Sequence, residues 1–311
     1  MILNIYRIIT PGIPEFNYGP FGVAIFFIIS GFVVSFSLKS KERIPFIKAR
    51  LIRIYPTYIA SMFIMIIVLY STSIFFWSNK PSLTISDIIS NVALINNLVG
   101  IKSIDAVNWT LAIEIKLYLL YTTFRSIIIK NASPFILGFG LCSICFSYLV
   151  SANENHSAIT AFISDVIFIN YINIGLCFYL AYSNIKGTTE TIFLGVFSMA
   201  SFIVSHHMIY SPPLHKLISF NYTYAIILFF IAYINLDHFK DIKIISYLAK
   251  ISFPFYALHS VIGYITLRIL EKEGVRYSSS LVITFLVIII LSHFINKIID
   301  SRFTKKIARK I

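Results

Sequence analysis

The chain has 311 residues, 58% hydrophobic and 16% aromatic, with a mean hydropathy of +0.83. These values exclude a water-soluble globular domain and predict an all-α integral membrane protein. The +13 formal charge could suit a nucleic-acid partner, but it lies mostly between apolar runs, where it sets orientation and meets lipid headgroups; no nucleic-acid partner is expected.

Nine apolar runs have the length of membrane spans: 20–38, 54–76, 108–125, 133–150, 160–182, 189–208, 217–236, 251–270 and 278–299. The expected fold is a polytopic bundle of about nine transmembrane helices, a single membrane domain over residues 1–311 ending in a short basic tail at 301–311. Counting alternate loops puts eighteen of the 26 Lys and Arg on one side and seven on the other, with Lys116 inside a span. That bias predicts a cytoplasmic C-terminus and, for an odd number of spans, an external N-terminus. Met1–Thr10 is too short to span and carries no signal-peptide cleavage pattern. Residues 11–21, rich in Pro, Gly and Asn, read as an external loop.

Four stretches depart from plain apolar sequence. Gly22–Phe32 carries the small pair Ser30-Gly31, which suits close helix approach. The basic loop 39–53 ends in Arg50 and Arg53, one helical turn apart, followed by Tyr55-Pro56-Thr57-Tyr58. Two such guanidiniums suit phosphate oxygens or lipid headgroups. Asn108–Tyr121 holds Glu114 and Lys116 at membrane depth, where ionisable groups mark function or a buried partner. In a helix Glu114 and Tyr118 share a face with Thr110 and Leu111, while Lys116 points elsewhere. In Ile251–Ser260, Ser252 and Pro254 predict a distorted or ended first turn, and Tyr256 and His259 share a face.

Cys142, Cys145 and Cys177 all sit in apolar runs and read as small fillers, although the first two spell C-x-x-C. His206, His207 and His215 flank Ser211-Pro212-Pro213 and read as a solvated external loop, with no metal site expected. His156 and His238 also read as loop residues, and His293 as packing near a span end.

Taken in order, these stretches resemble the membrane-bound acyltransferase 3 family of bacterial surface-sugar O-acyltransferases. Gly22–Phe32 is similar to its G-V-D-L-F-F-x-x-S-G-F segment, with Ala24 at the acidic position. Arg50, Arg53, Ile54, Pro56 and Tyr58 match R-x-x-R-I-x-P-x-Y. Trp109, Thr110, Leu111, Glu114, Tyr118 and Leu119 match W-S-L-x-x-E-x-x-F-Y-L, with Leu117 for the Phe. Ile251, Ser252, Tyr256 and His259 match I-S-Y-x-x-Y-x-x-H, with Phe253 for a Tyr. The family opens with a span carrying an Arg and then a His regarded as catalytic. This sequence shows no His before His156, so a nine-span form without that helix is expected.

The resemblance implies transfer of an acyl group, most often acetyl, from cytoplasmic acyl-CoA to a hydroxyl of a surface polysaccharide or its lipid-linked precursor, in the bacterial inner membrane. It implies acyl-CoA as co-substrate and no tightly bound cofactor. Arg50, Arg53 and Tyr58 would meet the acyl-CoA, and Ser30, Trp109, Tyr118 and Tyr256 would wall the acceptor site. Glu114 would support catalysis, with a pKa that burial tends to raise, and His259 is the one intramembrane His in a matched segment. Two other readings stay open: a non-catalytic remnant that binds a glycan or partner, and a transporter or flippase using the Glu114 and Lys116 charges. The last predicts inverted repeats and broken-helix pairs.

Overall fold

The computed structural model describes residues 15–73, 82–152, 158–239 and 242–299, and no β-strand occurs among them. The basic tail, His156 and Met1–Thr10 lie outside the described residues. The helices in chain order are α1 (Tyr18–Ser40), α2 (Arg43–Thr72), α3 (Ile85–Val92), α4 (Trp109–Thr123), α5 (Arg125–Lys130), α6 (Ala132–Ser151) and α7 (Ala158–Val166). They continue with α8 (Phe168–Tyr182), α9 (Thr188–Ile209), α10 (Pro212–Ile234), α11 (Lys243–Leu258), α12 (Val261–Lys272) and α13 (Tyr277–Ile295). An all-helical chain is what lipid demands, because a helix satisfies its backbone groups within its own segment.

Seven helical segments among the described residues are long and apolar enough to cross a membrane, or eight with α11 and α12 counted as one bent span. The chain is therefore an all-α polytopic membrane protein. The third expected span, 108–125, is the 15-residue α4. At 1.5 Å per residue it reaches about 22 Å, short of a hydrocarbon core of about 30 Å. The expected basic loop at 39–53 is mostly helix, because α2 already starts at Arg43. Likewise α1 starts at Tyr18, inside the stretch expected as an external loop.

The chain divides into two compact units, one of Met1–Phe46 with Ile113–His238 and one of Ile47–Ala112 with Phe239–Ile311. In the first, α8 is the central helix, buried along nearly its whole length and packed on α1 and α9. Gly31 and Gly175 make the α1–α8 approach possible. A Cβ on Gly31 would collide with the Ile172 carbonyl, and one on Gly175 with the Ile28 carbonyl. Gly140 plays the same part where α6 meets Phe197 and Ser201 of α9. Asn17 caps α1 by accepting from the Gly19 amide at 2.9 Å, while its own amide donates to Asn221 of α10 at 2.8 Å. Arg125 closes the other end of α1, its Nε donating to the carbonyls of Leu38 and Lys41 at 3.1 and 2.9 Å. Cys177 is buried in α8, whereas Cys142 and Cys145 face outward from α6 rather than filling a core.

The core of the second unit gathers Leu258, Ile262, Ile288 and Ile295, with Ile64 of α2 against them. Pro254 does not end its helix as expected. It sits inside α11, and the chain breaks later, at His259-Ser260, bending by 73° into α12. Proline removes the bond that would satisfy the carbonyl four residues back. That carbonyl, Lys250, accepts instead from Asn296 Nδ2 at 2.7 Å. The helix runs on because a side chain of another segment replaces the lost donor.

Candidate functional site

The break between α11 and α12 puts polar backbone beside polar side chains. His259 Nδ1 lies 2.7 Å from the Tyr256 carbonyl. A carbonyl only accepts, so Nδ1 carries the proton and Nε2 of the neutral ring keeps its lone pair. The Tyr256 hydroxyl lies 2.6 Å from Thr110 Oγ1 and 3.1 Å from the Val107 carbonyl. Thr110 also donates to Val107 at 3.1 Å, so two hydroxyls converge at the start of α4. Trp109 is half-buried beside them in sequence, next to the buried Asn108.

The segment leading into α4 is an ordered loop. A capping box between Thr84 and Asp87 starts α3. The Thr84 backbone and hydroxyl donate to Asp87, holding its carboxyl below the usual range. Asn91 then organises the loop beyond α3: its Nδ2 donates to the carbonyls of Asp87 and Lys102 at 2.8 and 3.2 Å, and its Oδ1 accepts from the Ile104 amide at 3.0 Å. Tyr58, 2% exposed, donates to the Asn91 carbonyl at 2.7 Å and accepts from Asn108 at 3.2 Å. Its hydroxyl is thus engaged in holding this loop. The loop buries Asp105, 2% exposed, whose carboxyl accepts from the Ser260 hydroxyl at the α11/α12 break. Burial pushes the Asp105 carboxyl up, and those hydrogen bonds and the His259 imidazole pull it back.

In the other unit, Glu114 is 6% exposed, and one of its oxygens accepts from Ser30 at 2.5 Å and from Tyr118 at 3.0 Å. This clamp joins α1 to α4 and bears out the shared face of Glu114 and Tyr118. Lys116, pointing elsewhere as expected, pairs with Asp165 of α7 at 2.8 Å, both side chains 10% exposed. Its charge is neutralised within the fold.

A family model described as an acyltransferase domain matches residues 2–295, nearly the whole chain. The chain belongs to the acyltransferase 3 family. It is thus a multi-pass membrane acyltransferase. No curated protein and no solved structure matches it.

Of the expected site residues in this acyltransferase, Tyr256 and His259 come together in one unit, with Thr110 beside Tyr256, and Ser30, Glu114 and Tyr118 in the other. Arg50 and Arg53 lie on one helix as expected, but Arg50 is buried and Arg53 exposed. The histidines expected in a solvated loop are helical: His206 and His207 end α9, and His215 opens α10. His206 is buried, its Nδ1 3.3 Å from that of His215 and its ring stacked on Tyr210. Among the described residues no group of three or more His, Cys, Asp or Glu could hold a metal ion. His238 lies in a 3-10 turn, and His293 is exposed on α13, 3.2 Å from the Tyr247 hydroxyl. Asn91, Asp105 and Ser260 escaped the sequence reading. Asp105 did leave a signal, as the one acidic residue between Ile88 and Ile113.

Proposed function

We propose that this acyltransferase moves an acyl group, acetyl in the first instance, from cytoplasmic acyl-CoA to a hydroxyl of a surface polysaccharide or its lipid-linked precursor, with His259 as general base. The observation that carries this reading is the His259 ring, held by the Tyr256 carbonyl with Nε2 as the basic nitrogen. Nε2 takes the proton of the acceptor hydroxyl while its oxygen bonds to the thioester carbonyl carbon. The carbon–sulfur bond then breaks, and the imidazolium returns the proton to the departing thiolate. Tyr256 and Thr110 line the same break, and Trp109 offers a face on which a sugar can stack. In the first half of the 30-residue α2, Arg53 is exposed and suited to the phosphates of CoA, and Arg50 is buried one turn earlier. Glu114 supports the fold of α4 through Ser30 and Tyr118 rather than acting as nucleophile. The inner membrane, with the C-terminus in the cytoplasm, is the setting that the charge bias supports.

The test is purified protein in liposomes, given labelled acetyl-CoA and a lipid-linked glycan fraction. Alkali-labile label should pass to the glycan, fall at least about a hundredfold in His259→Gln, and show a raised KM for acetyl-CoA in Arg53→Ala. Transfer at the wild-type rate in His259→Gln would remove the base. No turnover in the wild type would favour the glycan-binding remnant. The α11/α12 break is one feature that the transporter reading predicts, but the pairing of Lys116 with Asp165 takes up one of the two charges that reading uses and weighs against it.

A further inference from the structure

We infer that Asp105 is the carboxylate partner of His259: its loop buries it against the α11/α12 break, where Ser260 holds it and it stabilises the positive charge His259 takes on with the acceptor's proton. The inference rests on the reading of His259 as base, and it makes Asp105 a positioning residue that acts through the ring.

Three observations carry it. Asp105 is 2% exposed, so its carboxylate is screened little by water and its effect on a neighbouring charge is strong. A chain of contacts ties it to the break: the Val107 amide approaches its Oδ1 at 3.3 Å, the Val107 carbonyl accepts from the Tyr256 hydroxyl at 3.1 Å, the Tyr256 carbonyl lies 2.7 Å from His259 Nδ1, and the Ser260 hydroxyl donates to the carboxyl. Finally, the loop is anchored at several points, by Asn91 to Lys102 and Ile104, by Tyr58 to Asn91 and Asn108, and by Ser103 to the Asp105 carbonyl. So many hydrogen bonds around one buried acid hold its position relative to the break. The titratable groups facing the pair are Tyr58 from α2, which also senses the Asp105 charge, and Tyr256 from α11. Phenols ionise only well above neutral pH, so Asp105 is the group of this set suited to carry negative charge beside His259.

The experiment follows histidine ring nitrogens by NMR in the full chain in micelles, with the His259 signal identified by its loss in His259→Gln. Asp105→Asn should move the His259 titration midpoint to lower pH by about one unit, a tenfold change in proton affinity, and leave the His293 signal in place. Asp105→Glu, which keeps the charge, should restore most of that shift. An unmoved midpoint in Asp105→Asn overturns the pairing. Should that variant not fold, the reciprocal measurement decides: in His259→Gln the Asp105 carboxyl should ionise at higher pH, and an unchanged carboxyl titration overturns the pairing. Neither readout needs turnover. Loss of the pairing is therefore distinguishable from loss of the base assignment, which His259→Gln tests through transfer.

Discussion

The two units handle buried polarity in opposite ways. In the unit built on α1 and α8, polar groups close on one another between regular helices: Lys116 with Asp165, Glu114 with Ser30 and Tyr118, Tyr121 with Asn173 at 2.9 Å, and Asn170 with Ser143 at 2.8 Å. In the unit built on α11 to α13, polar side chains serve irregular backbone instead. Asn296 fills the gap left by Pro254, His259 bonds at a helix break, and Asn91 binds a loop. Non-helical backbone at membrane depth survives only where protein or water satisfies it. Closed pairs tie regular helices together, whereas served breaks keep irregular backbone stable.

The hardest test of this contrast is the ion pair. Lys116→Met alone removes the ammonium that Asp165 meets at 2.8 Å and should cost about 3–5 kcal/mol, because breaking a buried ion pair from one side is expensive. The double variant Lys116→Met with Asp165→Leu should return to within about 1 kcal/mol of the wild type, since an apolar pair of similar volume avoids both desolvation costs. Denaturant-induced unfolding in detergent measures both. A single variant as stable as the wild type would show that Lys116 is solvated in a cavity and that the first unit is no closed scaffold.

A smaller effect tests the packing beneath it. Gly31→Ala places a methyl group against the Ile172 carbonyl, so α1 and α8 must separate, at about 1–3 kcal/mol. Gly22→Ala is the control, because a Cβ there meets nothing within 4 Å. Equal unfolding midpoints for the two would mean that α1 and α8 do not need their glycines.

How much of the fold and site was legible in the sequence divides along the same line. The long apolar helices and the Ser30-Gly31 approach could be read because length and small residues are local signals. So could the shared face of Glu114 and Tyr118, which one helical turn dictates. The reading failed where a distant residue decides the outcome. Pro254 announced a distortion at its own position, but Asn296 repairs it and the break falls at His259-Ser260. The Ser211-Pro212-Pro213 stretch looked like a loop, yet proline suits the first turn of a helix, so α10 starts there and buries His206 nearby. The spans hid one further trap. Ala106, Val107 and Phe124 kept the hydropathy high around α4, which made a 15-residue helix look long enough to cross. Of the candidate site, Tyr256 and His259 were visible, whereas Asp105 carries meaning only once its loop is seen against Ser260.

The smallest expected effect concerns the served breaks themselves. Asn296→Ala removes the donor to the Lys250 carbonyl and should cost about 1 kcal/mol, the scale of one hydrogen bond between membrane helices. In the background of Pro254→Ala that cost should shrink, because an alanine amide at position 254 can satisfy Lys250 within α11. A double-mutant cycle by unfolding in detergent reads the coupling directly. If the two substitutions add with no coupling, Asn296 is not the partner that Pro254 requires. The continuity of α11 up to His259 would then have to come from packing against α13 alone.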